Sequence, residues 1–179
     1  MRFDRAGIAV TLPPGWEAAL YRREELAPAA DGVVTTQGLS QTALASVAPG
    51  ATTHPVLHTA SFPLPPDRGD YGSGAVDVMG AQDLFVSLVE FHPDASRTAL
   101  FARTGVPVGL SSDDFGANAL QRVLTGQSGC QRFFSVSGRA FCLYVVLGSH
   151  ARRHLLVPTL NQLLETLDIA EPDPSGEPS

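Results

Sequence analysis

A chain of 179 residues with 44% hydrophobic and 17% charged side chains holds the material for one packed domain and lies outside the disordered class. Its formal net charge of -6 and pI near 5.2 argue against a nucleic-acid partner, which calls for a basic stripe that displaces counterions. All 12 basic residues are Arg, which excludes Schiff-base chemistry, a Walker-type phosphate lysine and any Lys general base.

With the heavy use of Ala, Gly, Leu and Pro, the absence of Lys suggests a GC-rich bacterial genome. The longest apolar run, Leu143 to Leu147, is far short of the roughly 20 residues that span a bilayer, so no membrane span is expected. The first residues are charged and alternating, with no basic segment leading into an apolar one, and the expected location is the cytoplasm.

In chain order, residues 3–12 alternate Ile8, Val10 and Leu12 against Ala9 and Thr11, the pattern of a half-buried strand. Pro13, Pro14 and Gly15 break it, and residues 16–21 continue as a second strand or a short helix. Residues 24–53 are rich in Ala, Thr, Gly, Ser and Pro and read as a mobile excursion across the surface. Residues 56–64 read as a strand stopped by Pro65 and Pro66. A tight glycine-laden loop follows over 67–74, leading into a helical turn over 75–79. Residues 84–91 are apolar on both faces, the mark of a central strand covered on both sides.

Beyond them, Ser112 is placed to cap a short helix over 113–124, with Asp113 and Asp114 in its first turn. Residues 131–136 and 140–147 form a hairpin about Ser137 and Gly138. Leu156, Leu160, Leu163 and Leu167 fall on one face of a final amphipathic helix, and Asp168 and Ile169 add a short strand. The acidic, proline-rich residues 170–179 form a disordered tail, leaving 1–169 as a single α+β domain.

Tight pairing about Ser137 and Gly138 sets Cys130 opposite Val145 and Cys142 opposite Phe133, with the two sulfurs on different faces. Both are therefore expected as reduced thiols. Cys142 reads as a core thiol, and Cys130, beside Gly129 at a strand edge, as the more reactive of the two.

Two segments carry candidate chemistry. Ser149, His150, Arg152 and Arg153 follow a strand and open a helix, where free N–H groups and two guanidiniums could converge on an anion or an acidic partner side chain. Asp67, Arg68, Asp70, Tyr71 and Ser73 form a polar glycine-rich loop; its spacing matches neither a dinucleotide fingerprint nor a P-loop, and a structural turn is the simpler reading. His150 and His154 stand four apart as helical zinc ligands do, but no third ligand accompanies them. His54 and His58 would lie on one strand face roughly 13 Å apart, too far for one metal. No metal or cofactor is implied, and no Gly-x-Ser-x-Gly elbow is present.

The opening Ile8-Ala9-Val10-Thr11-Leu12-Pro13-Pro14-Gly15-Trp16 resembles the start of PsbP-like domains and of LpqN-type lipoproteins. The strand, leucine-faced helix and Leu167-Asp168-Ile169 resemble their close. Together these segments cover about 40 residues, and no functional motif of the family is matched. The resemblance implies a PsbP-like sandwich, a mostly antiparallel sheet flanked by helices, acting as a binding or assembly module. The expected function is thus a non-catalytic module for a protein partner. The alternative is a small hydrolase or ligand-binding enzyme at the 67–73 loop.

Overall fold

The computed structural model describes residues 1–24 and 53–171. The expected surface excursion falls almost wholly in 25–52 and most of the acidic tail in 172–179, both outside the described residues.

Among the described residues eight strands and one α-helix follow in order: β1 (Arg2–Arg5), β2 (Ile8–Thr11), β3 (Glu17–Glu24), β4 (Thr53–Ala60), β5 (Leu84–Phe91), β6 (Ser128–Val136), β7 (Arg139–Leu147), α1 (Arg153–Leu164) and β8 (Asp168–Ile169). They make two antiparallel sheets, β1-β2-β8 and β3-β4-β5-β7-β6, so the fold is α+β and mostly sheet. As its doubly apolar pattern requires, β5 is the middle strand of five, buried from Leu84 to Glu90.

Strand alternation divides the core in two. Leu57, Leu84, Val86, Leu88, Leu143, Val145 and Leu147 face α1 and the small sheet. Val56, Phe85, Val89, Cys142, Tyr144 and Val146 face the opposite way, where the 61–79 and 120–124 segments cover them. The helix buries Leu156, Val157, Leu160, Leu163 and Leu164. Pro158 inside it costs about 3 kcal/mol, whereas each large apolar side chain buried contributes about 1.5–3 kcal/mol. Packing therefore outweighs the broken hydrogen bond.

Several expectations need correction. The 3–12 strand folds back on itself at Ala6 and Gly7, and its second half joins a separate three-stranded sheet instead of the main one. Of the two alternatives for residues 16–21 the strand is the one that forms, over Glu17–Glu24. The 56–64 strand is Thr53–Ala60, and the helical turn expected over 75–79 is a pair of hydrogen-bonded turns, Val76 N–H to the Gly72 carbonyl and Val78 N–H to that of Ala75. The helix expected over 113–124 is only two single 3-10 turns, Ser112–Asp114 and Ala117–Ala119, because Gly116 forms a bridge to Gly129 through two 3.0 Å backbone bonds. The final helix ends before Leu167: Thr166 Oγ1 donates to the Leu163 carbonyl and accepts the Thr11 N–H, turning the chain into β8.

The hairpin register is as expected, Cys130 opposite Val145 and Cys142 opposite Phe133. Both thiols are free, one in each half of the core. Burial pushes each up to about 11, so Cys130 is not the reactive thiol its sequence neighbourhood suggests.

Candidate functional site

On the outer face of the large sheet one rung crosses all five strands: Ala19, His58, Ser87, Tyr144 and Gln131. His58 and Ser87 are fully buried, so both must find partners within the protein. The 67–74 loop supplies them. The Asp70 carbonyl accepts from His58 Nε2–H at 2.9 Å and from Ser87 Oγ–H at 2.5 Å, while Arg68 Nε donates to His58 Nδ1 at 2.9 Å. These bonds fix His58 as the neutral imidazole with its proton on Nε2. Burial, aided by the Arg68 guanidinium, lowers it to about 4 against the pull of the Asp70 carbonyl.

The loop's side chains are bound inward too. Tyr21 donates to Asp70 Oδ1 at 2.7 Å, Arg23 stands 3.9 Å from Oδ2, and the Tyr71 ring meets Tyr144 edge-on. Burial, then the bond to Asp70, raises the Tyr21 hydroxyl far above its ordinary value. Gly72, at φ +80°, lies so close over the Phe85 ring that a Cβ there would enter it.

Of the five residues expected at this loop, the structure brings Arg68, Asp70 and Tyr71 onto the sheet. It leaves Asp67 and Ser73 exposed, with Ser73 Oγ accepting the Gly69 N–H. Such a network holds a loop in place. With both ring nitrogens engaged, His58 has no lone pair for a substrate proton. Sequence reasoning set His58 aside with His54; the available signal was a polar residue at a buried position of an apolar strand, which must be paired.

The Ser149, His150, Arg152 and Arg153 cluster opens differently from expectation. A 3-10 turn, His150–Arg152, precedes α1, and several of the backbone donors there are already used: His150 N–H goes to the Gly126 carbonyl, Arg152 N–H to Ser149 and Arg153 N–H to His150. Arg153 Nη1 also donates to the His150 carbonyl at 3.0 Å, and the Ser149 side chain caps nothing. His150 and Arg152 are exposed.

Arg152 alone of these four lines an open groove of about 300 Å³, with Trp16, Ser61, Gln82, Leu84, Leu155, Leu156 and Thr159. Four segments line it: Trp16 after the Pro13-Pro14-Gly15 turn, with Gly15 at φ +81°, Ser61 just after β4, Gln82 and Leu84 around the start of β5, and Arg152, Leu155, Leu156 and Thr159 around the start of α1. Leu84 and Leu156 are buried, whereas Leu155 is 60% exposed. A second cavity, about 20 Å³ between α1 and the large sheet, is apolar and of water size.

Among the described residues no group of three or more His, Cys, Asp or Glu is placed to hold a metal ion, and no helix is long and apolar enough to cross a membrane. No family model, curated protein or solved structure matches the chain significantly.

Proposed function

We propose that this protein is a non-catalytic binding or assembly module that takes a protein partner at the groove between Trp16 and the start of α1. The observation that carries the reading is the wall of that groove. Leu155 stands 60% exposed on a helix whose other large apolar residues are buried, in a groove that the chain's single Trp also lines. Aromatic and Arg side chains around an apolar floor are the composition of interface anchors.

The resemblance of the two chain ends to PsbP-like domains supports the same reading, since those domains act as binding or assembly modules. The rival, an enzyme at the 67–73 loop, is weakened by the engagement of His58, Asp70 and Tyr21 with one another's elements.

Affinity capture from the native host tests the proposal. A partner recovered with the wild-type chain is expected to be lost with Leu155→Asp and kept with Leu100→Asp, an equally exposed control at 59%. Equal recovery with both variants would overturn the assignment of the groove.

A further inference from the structure

The charge around the groove narrows the partner's chemistry. Several arginines of this protein are paired with a carboxylate: Arg132 with Asp114, Arg139 with Glu90, Arg122 with Asp77, Arg23 with Asp70. Arg152 has neither an ion pair nor a side-chain hydrogen bond among the described residues, in a protein of net charge -6.

Asp83 and Glu17, each next in sequence to a residue that lines the groove, are hydrogen-bonded by the chain's own donors. Asp83 accepts from Gly80 N–H at 2.6 Å and lies 3.5 Å from Ser61 Oγ; Glu17, next to Trp16, accepts from Leu64 N–H at 2.8 Å. Among the described residues Arg152 thus stands without an ion pair at the edge of a groove lined by both apolar and polar side chains. Gln82 and Thr159 line the same groove and offer donors and acceptors to a peptide backbone. Its volume lies at the bottom of the roughly 300–1,000 Å³ of small-molecule sites, and it is open along one side where such sites enclose their ligand.

Resting on the groove reading above, we propose that the partner segment is a peptide that seats an aliphatic or aromatic side chain between Trp16 and Leu155 and sets an Asp or Glu carboxylate against Arg152. The planar guanidinium suits that carboxylate because it can bind both oxygens at once. A partner carrying Lys or Arg at the same place would meet Arg152 as a like charge and be rejected.

Selection of a displayed library of random dodecapeptides on the immobilised full chain tests this, followed by titration of the leading synthetic peptide against the emission of Trp16. The selected peptides are expected to carry an acidic residue within a few positions of a large apolar one. Arg152→Glu is expected to weaken binding by about tenfold or more, Arg152→Gln by less, and Leu155→Asp to abolish it. Both sites are exposed, and far-UV circular dichroism verifies that each variant keeps the fold.

Peptides that shift Trp16 emission and need Leu155, yet lack an acid and bind Arg152→Glu unchanged, would overturn the carboxylate assignment and leave the groove standing. Peptides indifferent to both Trp16 and Leu155, or no enrichment at all, would overturn both.

Discussion

Protonating His58 means breaking the bond from Arg68 Nε to Nδ1 and placing a cation beside a guanidinium, away from water. The groups facing it are Arg68 and Asp70 of the loop, Tyr21 of β3 and Ser87 of β5. The folded chain therefore holds His58 neutral down to about 4, while the unfolded chain takes up the proton near the ordinary 6.5. The unfolded state binds more protons between those values, so stability falls as pH drops from about 6.5 towards 4. The slope approaches about 1.4 kcal/mol per pH unit, for a total on the order of 3 kcal/mol. Urea unfolding at stepped pH is expected to show this loss in the wild type and a flatter profile in His58→Asn. Parallel profiles would remove His58 as its source.

A second residue-scale prediction concerns Arg139. It grips Glu90 with two bonds of 2.6 and 2.9 Å and donates to the carbonyls of Ala6, Gly7 and Ala170, fastening the small sheet to the large one. Both side chains are nearly fully buried. Glu90→Leu or Arg139→Met alone strands one charge and is expected to cost about 3–5 kcal/mol. The double variant is expected to lose clearly less than the sum of the two, measured by denaturant unfolding. Additivity would show that the pair is not coupled.

At the scale of elements, what the sequence makes legible follows from periodicity. Residues 84–91 and the hairpin flanking Ser137 and Gly138 show through because burial on one or both faces writes itself into alternate residues. The first hairpin hides because Ala6 is an unusual turn residue. It sits at φ 54° before Gly7 at φ 68°, the pair of positive angles a two-residue type I′ turn demands and Ser137 and Gly138 repeat. Ala6→Asn relieves that strain and is expected to stabilise by about 0.5–1 kcal/mol in thermal unfolding; a destabilised variant would contradict this account of the turn.

Residues 113–124 mislead for the opposite reason. The N-cap is Ser111, one residue before the expected Ser112; Asp114 accepts the Ser111 N–H at 2.7 Å, and that bond, with Arg132 beside it, holds its carboxyl below the ordinary range. The helix stops there because Gly116 pairs with Gly129, a contact thirteen residues away that no local pattern encodes. The candidate sites divide the same way. The polar loop over 67–74 is visible as composition, but its docking onto His58 and Ser87 depends on strand register. The groove joins residues from four separate segments, so only Arg152 among its lining could be singled out as a site residue in advance.

For the whole molecule, the large sheet divides the labour between its faces. One carries α1 and the small sheet; the other is closed by loops that the His58 network holds down. That second face leaves no lone pair on His58 for catalysis, and the groove at the edge of the first is where Leu155 stays exposed near Arg152, which has no ion pair among the described residues. The central claim is that this groove takes a protein partner. Isothermal titration of the captured partner against the purified chain tests it most directly. The account predicts that Leu155→Asp weakens binding at least about tenfold, a loss of roughly 1.4 kcal/mol or more, while Leu100→Asp changes nothing. Equal affinity for the wild type and Leu155→Asp would contradict it.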